Sequence, residues 1–549
     1  MAFEHPAAVI GWARLRPNLW DFVAFALVFG VLILLAQAGR ETLAPLASVQ
    51  ETPISLDPAM LPEYGLRTTL RMLAAILASL LFTLSYGALA AKSRRAELVL
   101  VPLLDILQSV PVLGFLSFTV VGFMALVPGR VLGVELAAVF AIFTSQAWNM
   151  AFSFYQSLKT VPRDLEEASR SFRLSAWQRF WRLEVPFAMP GLVWNTMMSM
   201  SGGWFFVVAS EAITVGDTTV SLPGIGSYLA RAIDDENLAA VGWAVLAMLT
   251  IILIYDQLLF RPLVAWAEKF RFEQSASTTR PSSWMLSLVK RTQLARALMG
   301  PIGHGLHRLF SVPTQVRVPL PAAAERIWSS RWVDAAWMAV IAAATVYALW
   351  RIEQFVTTEV TLQEFGRVVL LGTFTMIRVI VLIAIATLIW VPIGVWIGLR
   401  PRVAETVQPI AQFLAAFPAN IVFPFVVIGI VHFQASPDIW LSPLMILGTQ
   451  WYILFNVIAG ASAFPTDLKE AAASLHIKGW RWWRQVILPG IFPDYVTGAI
   501  TASGGSWNAS IVGEVASWGS TKLTAHGVGA YIAKRLPQAT TRALCSASL

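Results

Sequence analysis

The chain has 549 residues, 57% of them hydrophobic and only 13% charged, with a net charge of +8 and a mean hydropathy of +0.65. That balance excludes a soluble globular domain and points to a polytopic membrane protein whose Lys and Arg gather in cytoplasmic loops. No basic patch separates from the apolar runs, so nucleic acid is excluded as a partner. The single cysteine, Cys545, leaves no disulfide framework and no cysteine-based metal site.

A bilayer crossing takes about 20 apolar residues. Such runs lie at 20–38, 67–91, 98–127, 134–158, 187–210 and 238–260, and again at 332–350, 368–399, 406–433, 439–460 and 490–512. They predict an all-α membrane fold of about eleven spans. The first run has no cleavage site and reads as a retained span. Pro102, Pro111 and Gly114 interrupt one run, and Pro409, Pro418 and Pro424 another, so each reads as a broken helix or a helix with a re-entrant piece. Residues 1–65 form an N-terminal span and outer loop, and 66–260 a first repeat. A basic cytoplasmic linker follows at 261–331, in which 284–300 reads as an amphipathic helix on the inner leaflet. Residues 332–367 add a span and outer loop before a second repeat at 368–549.

The two repeats are anchored by two charged segments set between apolar runs. EEASRSFRLSAWQRFWRLEVPFAMPG (Glu166 to Gly191) aligns with KEAAASLHIKGWRWWRQVILPGIFPD (Lys469 to Asp494) at a constant offset of 303. Glu167 falls on Glu470, Ala168 on Ala471, Phe172 on Leu475, Trp177 on Trp480 and Pro186 on Pro489. Upstream the offset is 307, so the first half carries four extra residues before its charged segment. Downstream, Trp204 matches Trp507, Glu211 matches Glu514, and GIGSYLA (224–230) matches GVGAYIA (527–533). Six spans separate equivalent points, so the repeats run parallel, about an axis along the membrane normal. The chain ends in the polar LPQATTRALCSASL, so the second repeat is expected to lack a counterpart of 238–260.

The paired segments resemble the EAA loop of membrane subunits in binding-protein-dependent ABC importers. That loop reads E-A-A, then Gly at the sixth residue after the Glu, then I-x-L-P. Here Glu167-Ala168-Ser169 is followed by Leu183-Glu184-Val185-Pro186, and Glu470-Ala471-Ala472 by Val486-Ile487-Leu488-Pro489. Arg173 and His476 stand at the Gly position, a departure in both copies. The two Trp positions and the GxG-x-Y segments look most like the nitrate/sulfonate/taurine/bicarbonate branch and its duplicated permeases. The resemblance covers roughly 70–260 and 370–533. It implies a bacterial inner-membrane permease carrying a small anion, with an organic nitrogenous solute as the alternative. It further implies two copies of a cytosolic ATPase, docked on coupling segments near 163–186 and 466–489, and an extracytoplasmic solute-binding protein. The chain itself would be no enzyme and hold no cofactor, ATP being used by the partner. The docking role falls on Glu167, Ala168, Phe172, Trp177 and Pro186, and on Glu470, Ala471, Leu475, Trp480 and Pro489.

Residue physics supports a docking segment independently. Leu165, Ala168 and Phe172 share one helical face, as do Leu468, Ala471 and Leu475. Asp164 and Asp467 favour the first turns. Ser175 is a candidate N-cap for a second short helix, whereas its counterpart Lys478 has no acceptor. The alternative is a surface helix gripping headgroups, and in-register duplication weighs against it. No GxxxxGK[ST] occurs, so the phosphate cradle must come from another polypeptide. Candidates to line a substrate path are Gln108, Ser109, Asn149, Ser201, Ser503 and Asn508, all of which equally suit helix packing. Glu211 and Glu514, at span ends, read as solvated interface residues or gate contacts. A secondary transporter would need intramembrane carboxylates beyond Asp105 and Asp256, and a membrane enzyme a nucleophile–base set that is missing.

The Lys/Arg distribution predicts sidedness. In a Cys545→Ser background, single cysteines at Arg170, Met285 and Lys478 should label from the cytoplasm, and those at Ser55 and Asp235 from outside. Labelling of positions 170 and 478 from opposite faces would overturn the parallel repeat.

Overall fold

The structure, a computed structural model, describes residues 54–109, 112–215, 218–270, 283–292, 331–359 and 361–535, with scattered positions between 20 and 45 and between 300 and 312. It falls into two compact units. One comprises 1–40, 157–193 and 254–318, the other 41–156, 194–253 and 319–549.

The first half runs α1 (Leu61–Lys92), α2 (Arg94–Ser109), α3 (Val112–Leu126), α4 (Val131–Lys159), the short α5 (Arg163–Ser171) and α6 (Ala176–Arg179), and α7 (Val185–Ser210). A hairpin of β1 (Ala212–Val215) and β2 (Thr218–Ser221) follows, then α8 (Ile225–Asp234) and α9 (Leu238–Tyr255). The described part of the linker includes α10 (Trp284–Arg291), N-capped by Ser283. The second half runs α11 (Arg331–Glu359), α12 (Leu362–Gly398), α13 (Pro401–Ala416), α14 (Phe423–Phe433), α15 (Gln450–Ser462), α16 (Thr466–Ser474), α17 (Gly479–Trp482), α18 (Leu488–Gly513), β3 (Val515–Trp518) and β4 (Thr521–Thr524).

Among the described residues five helices are long and apolar enough to cross a membrane, rising to seven if two bent pairs count as one span each. Most of 20–38 lies outside the described residues. The run at 98–127 is divided into α2 and α3. The run at 406–433 is likewise broken, its two pieces bent by 71°. Pro418 explains the break, because it holds Phe417 in extended backbone and out of the helical region. The runs at 187–210 and 490–512 are α7 and α18. At 26 residues each they reach about 39 Å, enough to cross. Ser, Gly, Asn and Thr on one face lower their hydropathy, and that face lines a cavity.

The repeat is visible in the packing. A Cβ on Gly87 of α1 would lie 2.8 Å from Phe154 of α4; the matched Gly394 of α12 stands the same 2.8 Å from Val457 of α15. Such close approach is what small residues contribute where lipid offers no hydrophobic drive. The four extra residues fall between Leu126 and Glu135, in the turn that holds Arg130. Two hairpins add to the all-helical expectation, in registers Val215↔Thr218 and Trp518↔Thr521. Gly519-Ser520, a two-residue loop with Gly519 at positive φ, was the available sequence signal.

Both charged segments form two short helices separated by a tight stop. In the first, Leu174 N–H donates to Ser169 C=O and Arg173 N–H to Arg170 C=O; in the second, Ile477 N–H donates to Ala472 C=O and His476 N–H to Ala473 C=O. This is the Schellman pattern. It sets Arg173 and His476 at φ 51° and 54°, so the helices do not merge and a side chain is tolerated where glycine fits best. Ser175 caps α6 reciprocally with Gln178, while Lys478 caps nothing. A widened turn follows in each copy, at Phe180–Glu184 and Trp483–Ile487. It accommodates Pro186 and Pro489, which lack an N–H and crowd the carbonyl one turn back.

Arg173→Gly and His476→Gly should each stabilise by about 1 kcal/mol, by relief of left-handed backbone strain. Thermal unfolding in detergent checks this; a lowered midpoint for both would contradict it.

Candidate functional site

Each repeat contains an ionic knot, buried in the first and partly exposed in the second. In the first, Arg71 on α1 forms a bidentate pair with Glu135 on α4 (Nε to Oε2 2.6 Å, Nη2 to Oε1 2.7 Å). Its Nη1 donates to Glu211 Oε1 at 2.7 Å and to the Pro223 carbonyl at 2.9 Å. Thr68 Oγ1 donates to the same Glu211 oxygen at 2.7 Å and accepts from Ile225 N–H at 3.0 Å, while Gly226 N–H donates to Glu211 Oε2 at 2.6 Å. The second repeat repeats this atom for atom over most of the set. Arg378 reaches Asp438 at 2.9 Å, Glu514 at 3.0 Å and the His526 carbonyl at 2.8 Å. Thr375 Oγ1 donates to Glu514 at 2.7 Å and accepts from Val528 N–H at 3.0 Å, and Ala530 N–H donates to Glu514 at 3.1 Å.

Glu211 and Glu514 are therefore not solvated interface residues: both are buried. Burial of a carboxylate demands a paired charge and filled lone pairs, and the knot supplies both. Arg71, Arg378 and Glu135 escaped the sequence reading because a lone charge in an apolar run has no visible partner. The GxG segments carried the signal. A Cβ on Gly224 would sit 2.3 Å from the Glu211 carboxylate and one on Gly527 2.1 Å from that of Glu514, so only glycine lets backbone close over the carboxylate.

Between the repeats lies a cavity of about 100 Å³. Of the residues expected on a substrate path, Gln108, Asn149, Ser201 and Asn508 line it together. Ser503 does not; it borders a separate recess with Ile500, Gly504 and Trp507. The reason is register: Trp204 pairs with Trp507, so Ser201 aligns with Gly504 and the second SGG step is displaced by one residue. The Ser109 side chain lies outside the described residues. Among the described residues, three side-chain hydrogen bonds cross between the repeats near the cavity. Ser201 Oγ donates to Gly448 C=O at 2.7 Å, Asn508 Nδ2 to Gln108 C=O at 2.9 Å, and Asn420 Nδ2 to Phe205 C=O at 3.2 Å. Matched positions carry unlike residues: Asn149 opposes Tyr452, Phe205 opposes Asn508, and Phe206 opposes Ala509. None of the described lining residues is charged.

The residues expected to dock an ATPase are presented outward. Glu167, Ala168 and Phe172 of the first segment and Glu470, Ala471 and Leu475 of the second are exposed, as are Trp177, Trp480 and Pro489; Pro186 is half-buried. The segments differ in one respect. The linker packs on the first, where Phe310 stacks on Trp181 at 4.1 Å, Trp177 Nε1 donates to Leu309 C=O at 3.0 Å, and Gln178 Nε2 to Ser311 C=O at 2.7 Å. Trp177 is consequently 36% exposed and Trp480 72%.

Two matched helical repeats, an uncharged and largely apolar cavity at their junction, and an outward-facing pair of short helices in each repeat suit a transport permease of the membrane. The chain belongs to the family of binding-protein-dependent transport system inner membrane components, whose pattern it matches twice, at residues 83–261 and 390–541. It is 33% identical over 187 residues to the glycine betaine/proline betaine transport system permease ProW of Escherichia coli, covering 33% of this chain and 49% of that protein. It is 22% identical over 187 residues to the bicarbonate transport system permease CmpB of Synechococcus elongatus (34% and 61%). Over 231 residues it is 23% identical to the nitrate import permease NrtB of Leptolyngbya laminosa (40% and 77%). The chain thus spans about half to three-fifths of the length of the betaine and bicarbonate permeases that it matches.

Removing Arg71 leaves two carboxylates in the knot without a cation, which costs about 3–5 kcal/mol. Arg71→Ala should therefore unfold at markedly lower temperature than the parent. Arg378→Ala should lose less, because Asp438 is 40% exposed where Glu135 is 13%. Equal losses would refute the ranking.

Proposed function

We propose that this chain is the membrane-spanning permease of an ABC importer, forming the path for a small solute, an anion, delivered by a binding protein and driven by a separate ATPase. The observation that carries this reading is the cavity built by both repeats at matched positions, on helices continuous with the coupling segments. Exposed Phe172 and Leu475, each at the end of a short helix stopped by a left-handed residue, suit insertion into grooves on two ATPase copies. Betaine, bicarbonate and nitrate permeases among the relatives favour cargo bearing an oxyanion group. A secondary transporter is disfavoured because Glu135, Glu211 and Glu514 are each locked to an arginine rather than free to exchange protons.

Purified chain alone should hydrolyse no ATP, and co-expression with its cognate ATPase should restore hydrolysis. Joint replacement of Glu167 and Glu470 by Ala should weaken co-purification of the ATPase at least tenfold and leave membrane insertion intact. Undiminished co-purification would remove these residues from the docking surface.

A further inference from the structure

We infer that linker residues 309–311 compete with the ATPase for the first docking segment. They cover the face that carries Trp177, Gln178 and Trp181, and must leave it before an ATPase copy can seat there as it does on the second segment. The inference rests on the reading of both segments as ATPase docking sites and assigns one of them an occupant from within the chain.

The contact is made by the end of a helical stretch, 308–311. The last carbonyls of a helix have no partner within it and accept from donors that lie beyond. Here the first segment supplies them. Trp177 Nε1 donates to Leu309 C=O and Gln178 Nε2 to Ser311 C=O, while Arg182 Nη2 donates to Ser311 Oγ at 2.6 Å. A cation at that point also suits the negative end of the helix. Phe310 lies nearly flat on Trp181, the two rings 19° from parallel. Positions 177, 178, 181 and 182 fall on one side of α6 and the widened turn after it, so the linker occupies a single face.

The second segment has no such cover among the described residues. Trp480, Arg481 and Arg484 stand exposed at the positions matched to Trp177, Gln178 and Trp181. A Trp and a side chain with N–H donors are kept at the first two positions, whereas the ring under Phe310 is replaced by Arg484. What the segments share is what two like ATPase copies can both read; what they do not share is what holds the linker. Two like copies need two like surfaces, and the first segment offers one only when residues 309–311 withdraw. The covered state is also incomplete, since Trp181 Nε1 is buried with no hydrogen-bond partner among the described residues. Phe172 stays 78% exposed with the linker in place, so the competition weakens docking at the first segment rather than abolishing it.

The test titrates the full chain, in a Cys545→Ser background, with its cognate ATPase in detergent without nucleotide. Protection from maleimide is read at Ser171→Cys or Ser474→Cys, matched and exposed positions in the two segments. Phe310→Ala should lower the ATPase concentration for half-protection at position 171 about threefold to tenfold and leave that at 474 unchanged. Protection at 474 serves as the control for folding. Should Phe310→Ala lose it, Trp181→Arg, which gives the first segment its counterpart's residue, reads the same quantity and should shift it the same way. An unmoved value at 171, or an equal shift at 474, would overturn the inference. A raised value at 171 would overturn it too, by making the linker part of the docking surface. If the ATPase protects neither position in the parent or the variants, the docking reading itself fails, which separates that outcome from failure of the competition alone.

Discussion

Everything else in the larger unit is arranged around an arginine buried with two carboxylates. Desolvating three ionised groups is expensive, and the cost is offset only when every lone pair and hydrogen finds a partner. That requirement dictates the local fold. Thr68 must stand one turn before Arg71, Glu211 must close the end of α7, and the chain must fold back so that Pro223 C=O and Gly226 N–H face the pair. The short hairpin is the means of return, with Leu222 N–H bonded to Glu211 C=O at 2.8 Å; in the second repeat Ala525 N–H bonds to Glu514 C=O at 2.9 Å. A helix, a ribbon and a glycine turn thus become one unit tied to α1 and α4, or to α12.

How much of this was legible in the sequence depended on whether a feature is periodic or is a meeting. Apolar runs, the parallel repeat and the coupling segments are periodic or duplicated, and alignment at one offset exposed them. Glu211 and Glu514 were visible as a matched pair, yet their environment was misjudged because the partners, Arg71 and Arg378, lie about 140 residues earlier in the chain. Four of six path residues converged on the cavity since Gln, Asn and Ser are costly inside an apolar run and gather where they can pair. Ser503 lies at a separate recess for a definite reason. The resemblance of two SGG steps is one of composition, whereas side-chain direction follows helical register, and one residue shifts it by about 100°.

Duplication also explains the chemistry of the cavity. A strictly symmetric pair of repeats would present each residue type twice across the axis, which suits a symmetric ligand. Here Asn149 is matched by Tyr452 and Phe205 by Asn508, while the knots keep the Thr, Arg and Glu side chains, with Asp438 in place of Glu135 and His526 pairing with Asp438 where the first repeat has Pro223. Scaffold positions are constrained by burial of charge, where a change leaves an ion unpaired. Wall positions border space and carry no such penalty. The two repeats thus differ on the cavity wall and agree in the charged side chains that hold the fold, save for Glu135 and Asp438.

The polar face of α18 then acquires a mechanical meaning. This helix leaves the second coupling segment at Leu488, forms the cavity wall with Gly504, Gly505 and Asn508, and ends beside Glu514, held by Arg378. Gly498 and Gly505 let it press on α15 and on Thr449 so closely that a Cβ would meet atoms at 2.7 and 2.5 Å. Packing this tight leaves α18 little room to slide along α15, because a shift by a fraction of a turn would bring side chains against these glycines. Displacement of the coupling segment must therefore shift the cavity wall, break the tight glycine contacts, or be resisted at the Arg378 knot. On the proposed reading, motion at the second docking segment would reach the cavity wall through α18.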